Sequence, residues 1–374
     1  MERFVLGVCL ASLLVCFVQG CPYWWCQPSE DPPPLEGYGA DKDQISVSGV
    51  SSGGYMATQV HVAYSASIMG SGIVAAGPYH CAQGSTLRAL QDCMNAPNNI
   101  NVQQLVDFTH EKAQSGEIDP VSFFENGKTY LFSGSQDTTV DPGVMFKCED
   151  YSRNFMADQD ITTDYNIAAG HAMITQSYGN ACSQQRMPYI NNCNHPLAYL
   201  MMNHIYGGTL QKPDTYGVEL PGDILAFDQT ELEPAYSGQT SLDTVGFIYI
   251  PSGCRNNPGC KVHIQFHGCL QGRGNLDEEY VLYTGYNEVG ELNNIIIIHP
   301  QVVSSMGNTN ACWDWWGYTD QKYDLKDGVQ MRFVKNIIDR VTSEHHACGA
   351  VRSKMFKKQC ILPTTQAPQP PPQC

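Results

Sequence analysis

Gly49-Val50-Ser51-Ser52-Gly53 sets a serine between glycines two residues to either side. That spacing suits a nucleophile. A hydroxyl that attacks a carbonyl must stand at the apex of a sharp strand-to-helix turn, and the glycines let strand and helix close around it. A glycine- and serine-rich turn with no chemical role has the same composition, so the flanks decide. Ile45 and Val47 alternate ahead of the turn, and Met56, Val60 and Ala63 follow at helical spacing. Ser51 is therefore the candidate nucleophile. The N–H of Ser52, the next residue, is a candidate oxyanion donor.

A serine nucleophile needs a base, and the base needs an acid to orient it. Residues 128–133 read as a strand running into Gly134-Ser135-Gln136-Asp137-Thr138-Thr139-Val140. An acid just past a strand's carboxyl end stands where the sites of open α/β sheets form. Asp137 is thus the candidate acid, with Asp141 its competitor and a plain turn aspartate the alternative. Among eleven histidines, His171 lies in the small-residue run Ala168-Ala169-Gly170-His171-Ala172-Met173, 34 residues after Asp137. His195, His204 and His267 are rivals by spacing. A second oxyanion donor normally comes from a His-Gly loop on a strand that precedes the nucleophile. No such loop precedes Ser51. One follows much later, in His267-Gly268-Cys269-Leu270-Gln271 after strand 261–266. A buried strand at 294–300 and an amphipathic helix at 329–341 come after it. The block that usually leads into the elbow therefore sits at the far end of the chain, as in a circularly permuted α/β-hydrolase fold. Nearby termini make such a permutation structurally cheap.

The remaining elements agree with an α/β class. Strand signals fall at 46–50 and 245–250 besides those above, and helix signals at 56–64, 102–113 and 198–205. Strands alternating with helices predict a mostly parallel central sheet flanked by helices. Four segments are expected: a signal peptide at 1–20, a cysteine-, aromatic- and proline-rich lead-in at 21–43, a catalytic domain at 44–347, and a proline-rich tail at 348–374. The apolar run 4–18 is too short for a comfortable membrane span and precedes a small-residue cleavage site. No later segment is apolar enough to span a bilayer, so a secreted, extracellular protein is expected. Of sixteen cysteines, Cys9 and Cys16 would leave with the signal, and the fourteen that remain read as disulfides in an exported chain. The absence of C-x-x-C and H-E-x-x-H argues against a metal site. A net charge of −16 with no basic stripe argues against a nucleic-acid partner.

The ordered segments resemble one family. Residues 46–57, Ala76-Gly77-Pro78-Tyr79-His80-Cys81, Gly134-Ser135-Gln136-Asp137, Gly170-His171, His267-Gly268-Cys269-Leu270-Gln271, Cys312-Trp313-Asp314-Trp315 and Asp327-Gly328-Val329-Gln330-Met331 occur in that order. They are similar to those of secreted single-domain poly(3-hydroxybutyrate) depolymerases, esterases with a permuted α/β-hydrolase fold. The resemblance covers about residues 44–345. It implies Ser51 as nucleophile, Asp137 as acid, His171 as base, and the amides of Ser52 and Cys269 as oxyanion donors. It also implies disulfides Cys81–Cys93, Cys182–Cys193, Cys254–Cys260 and Cys269–Cys312, and no metal or organic cofactor. Trp313 and Trp315 are candidates for the substrate groove, with a packed-core role as the alternative. Cys21, Cys26, Cys148, Cys348, Cys360 and Cys374 fall outside the pattern; Cys21–Cys26 is the simplest pairing among them. The expected reaction is hydrolysis of short-side-chain polyhydroxyalkanoate or its oligomers through an acyl-enzyme. A broader carboxylesterase for small acyl or aryl esters is the runner-up, and a binding protein on a catalytically dead scaffold the alternative from another class.

Overall fold

The computed structural model describes residues 31–344. The signal peptide, the Cys21–Cys26 pair and the proline-rich tail lie outside the described residues. An eight-stranded sheet runs through the middle of the chain, in the order β4-β3-β2-β1-β10-β11-β9-β8. Its strands are β1 (Ile45–Val50), β2 (Gly70–Val74), β3 (Lys128–Phe132), β4 (Ile161–Asp164), β8 (Asp223–Asp228), β9 (Val245–Ile250), β10 (Lys261–Phe266) and β11 (Ile295–His299). A second sheet of three short strands joins β5 (Met173–Thr175), β6 (Asn180–Ala181) and β7 (Ile190–Asn192). In the large sheet the six strands from β4 to β11 are parallel, and β9 and β8 add on antiparallel.

The central pairing joins residues far apart in the chain. Ile45 through Gly49 pair in parallel with Val262 through Phe266. The strand of the elbow thus lies beside the strand of the His-Gly loop, as the permuted order requires. The two ends of the folded body also meet. Tyr38 and Ala40 donate their N–H groups to Val341 O at 3.0 and 3.1 Å, and Gly39 N–H to Ser343 O at 2.8 Å. This is the closeness of ends that permits permutation. Leu35 and Tyr38 are buried in the core, and the described residues from Pro33 onward form one compact unit. The packed body therefore begins about ten residues before position 44, because backbone bonds to 341–343 and to Asp228 fasten this stretch down.

Both faces of the sheet are covered, which explains its apolar run. Ile295 to Ile298 are fully buried. Ile296 and Ile298 join one core cluster, Ile295 and Ile297 the other. A strand enclosed on both sides reads as continuous rather than alternating hydrophobicity. The helix Val329–Thr342 buries Val329, Phe333, Val334, Ile337, Ile338 and Val341 on one side, each side chain contributing about 1.5–3 kcal/mol relative to exposure. No helix among the described residues is long and apolar enough to cross a membrane.

Candidate active site

β1 is buried along its whole length and ends where the helix Ser52–Ala63 begins. Ser51 sits between them with φ 57° and ψ −123°, a backbone conformation that costs a non-glycine residue about 1–3 kcal/mol. The surroundings hold it there. Ser51 N–H donates to Val74 O at 2.8 Å, and Tyr55 N–H to Ser51 O at 3.0 Å. The flanking glycines are required by close approach. A Cβ at Gly53 would lie 2.2 Å from Phe266 O, and one at Gly49 would lie 2.2 Å from Gly53 O. Strand, helix and β10 therefore pack at backbone distance around the serine, which faces a cleft of about 360 Å³.

His171 lines the same cleft. Its Nδ1 lies 2.7 Å from Asp137 Oδ2. Asp137 Oδ1 accepts the N–H groups of Thr139 at 2.8 Å and Val140 at 2.9 Å. The turn therefore fixes one carboxylate oxygen and aims the other at the ring. With the proton on Nδ1, Nε2 is the basic nitrogen. The loops of Asp137 and His171 are joined by Ser135 N–H to Ile167 O at 2.9 Å and Gln136 N–H to Ala169 O at 3.1 Å.

Opposite the pair stands the loop after β10. A Cβ on Gly268 would lie 3.3 Å from Ser51 Cβ, so this loop rests against Ser51. Its amides are nearly all engaged. Gly268 N–H donates to Gln271 Oε1 at 2.8 Å, Leu270 N–H to Asn310 O at 2.7 Å, and Gln271 N–H to Gly268 O at 3.3 Å. Among the described residues, Cys269 N–H has no such partner. Cys269 is bonded to Cys312. Asn308 grips Cys312 from the other side, accepting its N–H at 2.9 Å and donating to its carbonyl at 2.8 Å. Among the described residues the other disulfides are Cys81–Cys93, Cys182–Cys193 and Cys254–Cys260, and Cys148 is buried with no disulfide partner.

One wall of the cleft is aromatic. Trp315 lines it and stacks on Tyr55, with ring centroids 4.0 Å apart and planes 7° from parallel. Trp316 lines it too. Trp313, expected at the groove alongside Trp315, is fully buried in the core instead and meets Phe266 edge to face at 5.0 Å. Asp314 explains the split. Its buried carboxylate accepts the N–H groups of Trp316, Gly317, Tyr318 and Thr319 and the Thr319 hydroxyl. That ties 314–319 into a tight turn and swings the chain outward past Trp313. Burial nevertheless pushes the Asp314 carboxyl up to about 6.

The chain matches no family model. It is 33% identical over 327 residues to a polyhydroxybutyrate depolymerase of Talaromyces funiculosus, covering 83% of this chain and 92% of that one. The chain belongs to the polyhydroxybutyrate depolymerase family. It is also 43% identical over 307 residues to a poly(3-hydroxybutyrate) depolymerase of Delftia acidovorans; the match takes in 81% of this chain and spans 60% of that relative's length. A crystal structure of the PHB depolymerase from Penicillium funiculosum superposes with a TM-score of 0.75 at 30% identity, over 83% of this chain and 98% of that one. A serine-to-alanine variant of a PHB depolymerase, complexed with an R3HB trimer, gives 0.76 at 31% identity over the same shares.

Within this family member the rival residues are occupied elsewhere. Asp141 caps the helix Pro142–Ser152, accepting Gly143 N–H at 2.7 Å. His195 Nε2 lies 2.8 Å from Asp164. His204 lies between Thr162 Oγ1 and Asp160 O, each at 3.0 Å. His267 supports the site without entering it: Nδ1 donates to Gly268 O at 2.7 Å, and Nε2 accepts Val302 N–H at 3.3 Å. Burial holds its imidazole well below the usual range, at about 4. Trp316, Leu90 and Tyr189 line the cleft but were not singled out from the sequence. Adjacency to Trp315 was the available signal for Trp316. Tyr189, in a segment without regular pattern, offered none.

Proposed function

We propose that the chain is a secreted serine esterase that cleaves the ester bonds of poly(3-hydroxybutyrate)-type polyesters or their oligomers. One observation carries this reading: Ser51, on a strained apex, opens into the same cleft as a histidine whose Nδ1 is 2.7 Å from a buried aspartate. Ser51 Oγ attacks the ester carbonyl while His171 Nε2 takes its proton. Asp137 holds the ring in orientation and steadies the imidazolium. The N–H groups of Ser52 and Cys269 take the negative charge of the tetrahedral intermediate. His171 returns the proton to the departing alkoxide, which leaves as a hydroxyl-ended chain. Water, deprotonated by His171, then releases the acid and restores Ser51.

The polyester substrate is supported by the names of the relatives and by the R3HB trimer held in one neighbour. Export through a signal peptide at 1–20, ahead of a catalytic domain ending near 347, is supported by the four disulfides among the described residues, since disulfides persist in oxidising compartments. The test is release of 3-hydroxybutyrate and its oligomers from polyhydroxybutyrate film, run beside a soluble butyrate ester. Film hydrolysis is expected. Turnover of the soluble ester alone would assign a general carboxylesterase, and turnover of neither would remove the esterase reading.

A further inference from the structure

Between Cys182 and Cys193 the chain forms a loop, closed by a disulfide, that belongs to neither triad strand. It nevertheless bonds to the turn of Asp137, to the backbone at His171 and to the loop after β10. From one end, Gln185 Oε1 accepts Thr138 N–H at 2.9 Å, in the turn of Asp137, and His171 N–H at 3.3 Å. Gln185 Nε2 donates to Thr138 Oγ1 at 2.8 Å. A single amide thus joins the backbone of the acid's turn to that of the base. Contact here is close: a Cβ on Gly170 would lie 2.5 Å from Gln185 Cγ.

From its other end the loop reaches the oxyanion side. Tyr189 O accepts two donors, Met173 N–H at 2.9 Å, two residues beyond His171, and Gln271 Nε2 at 2.9 Å. Gln271 Nε2 also lies 3.1 Å from Pro188 O, and Gln271 Oε1 takes Gly268 N–H at 2.8 Å. Gln271 is buried. By occupying the Gly268 amide it leaves Cys269 N–H as the free donor of that loop. The loop itself is held by Asn191, whose Nδ2 donates to Cys182 O at 2.9 Å and Gln184 O at 2.7 Å.

We propose that the 182–193 loop is a brace that sets the acid–base pair against the oxyanion loop, with Gln185 and Gln271 as its positioning residues. The proposal rests on the esterase reading above. Gln185 does not line the cleft, and Gln271, at its edge, is buried with both atoms of its amide bonded to the protein. They act on the distance between His171 and the Cys269 amide, which come from opposite halves of the chain. Misplacement by about 1 Å costs on the order of a hundredfold in rate, so a brace of this kind matters even at a distance from the serine.

The test uses the full mature chain and a soluble butyrate ester. Gln185→Met and Gln271→Met keep side-chain length and remove every hydrogen bond; thermal unfolding verifies that each folds. Each is expected to lower kcat by about ten- to a hundredfold with KM within about twofold. Because both act through one loop, the double variant is expected to lose much less than the product of the single losses. Should either Met variant fail to fold, Gln185→Asn and Gln271→Asn, which keep the amide but shorten its reach, carry the same expectation. An unchanged kcat in folded variants, a rise in KM alone, or fully multiplicative losses would overturn the brace. Inactivity of the unmutated chain would strike the esterase reading instead, and Ser51→Ala supplies the background rate that separates the two failures.

Discussion

The two halves of the sheet contribute differently to the cleft. The first, β1 to β4, supplies Ser51, Asp137 and His171 from the loops after β1, β3 and β4, and holds them with backbone bonds and a strained turn. The second, β8 to β11, supplies none of these. It contributes the Gly268–Cys269 loop and the tryptophan wall, held by a disulfide and by buried side chains such as Asn308, Asp314 and His267. On the proposed mechanism the difference follows from what each half provides. Proton transfer needs side chains at the ends of rigid strands. Oxyanion binding needs one amide left unpartnered at the right spot, and an irregular loop stays put only when it is tied down.

The largest expected effect lies in the first half. Ser51→Ala should lower hydrolysis by at least about a thousandfold while thermal unfolding stays close to that of the parent. Near-normal turnover in the folded variant, or loss on Ser52→Ala alone, would take the chemistry away from Ser51. In the second half, Cys269→Ala with Cys312→Ala should reduce the acylation rate by about a hundredfold, as loss of one oxyanion donor does, and leave KM nearly unchanged. Opening a bridge across 43 residues should also cost about 4 kcal/mol of stability. Rapid-quench measurement of the acyl-enzyme separates the two effects; an unaltered acylation rate would show that this half does not aim the donor.

A smaller effect concerns acid. His263 and His299 in the second half are buried and held near 3, His267 near 4, while the first half has one such residue, His61, near 3. Each is depressed below its unfolded value of about 6.5, so the unfolded chain binds more protons, and stability is lost as pH falls through that value. By pH 5 the loss is about 2 kcal/mol per histidine. His263→Gln should therefore flatten the fall of Tm between pH 7 and pH 5, even if it lowers Tm overall. An equally steep fall would mean that carboxylates alone set the acid limit. The smallest change is expected at Asp141, near Asp137 in sequence only. Asp141→Ala should cost about 1 kcal/mol as a lost helix cap with kcat within twofold; a large drop in kcat would shift the acid's role away from Asp137.

Much of this was legible in the chain because it is local. An elbow needs glycines at fixed offsets, a strand's end locates Asp137, and alternation or amphipathic period marks β1, β9, β10 and the helix Val329–Thr342 within a residue or two of their observed bounds. β2 was not legible. Gly70-Ser71-Gly72 reads as a turn, and it is a strand because β1 and β3 flank it on both edges. The small residues around His171 marked it in the chain, but only the fold shows its ring against Asp137 while His267 Nδ1 turns to Gly268 O.

Sequence by itself determined the chemistry on offer: a serine at an elbow, an acid past a strand, a histidine among small residues, and a His-Gly loop displaced to the far end. Those are properties of neighbouring residues, and short-range sterics dictate them. Tertiary structure alone decided that β1 lies against β10, that Trp313 turns inward while Trp315 and Trp316 face the cleft, and that Cys269 N–H is left free. Each depends on which distant segment occupies a given volume or saturates a given donor, and that is settled only when the whole core packs.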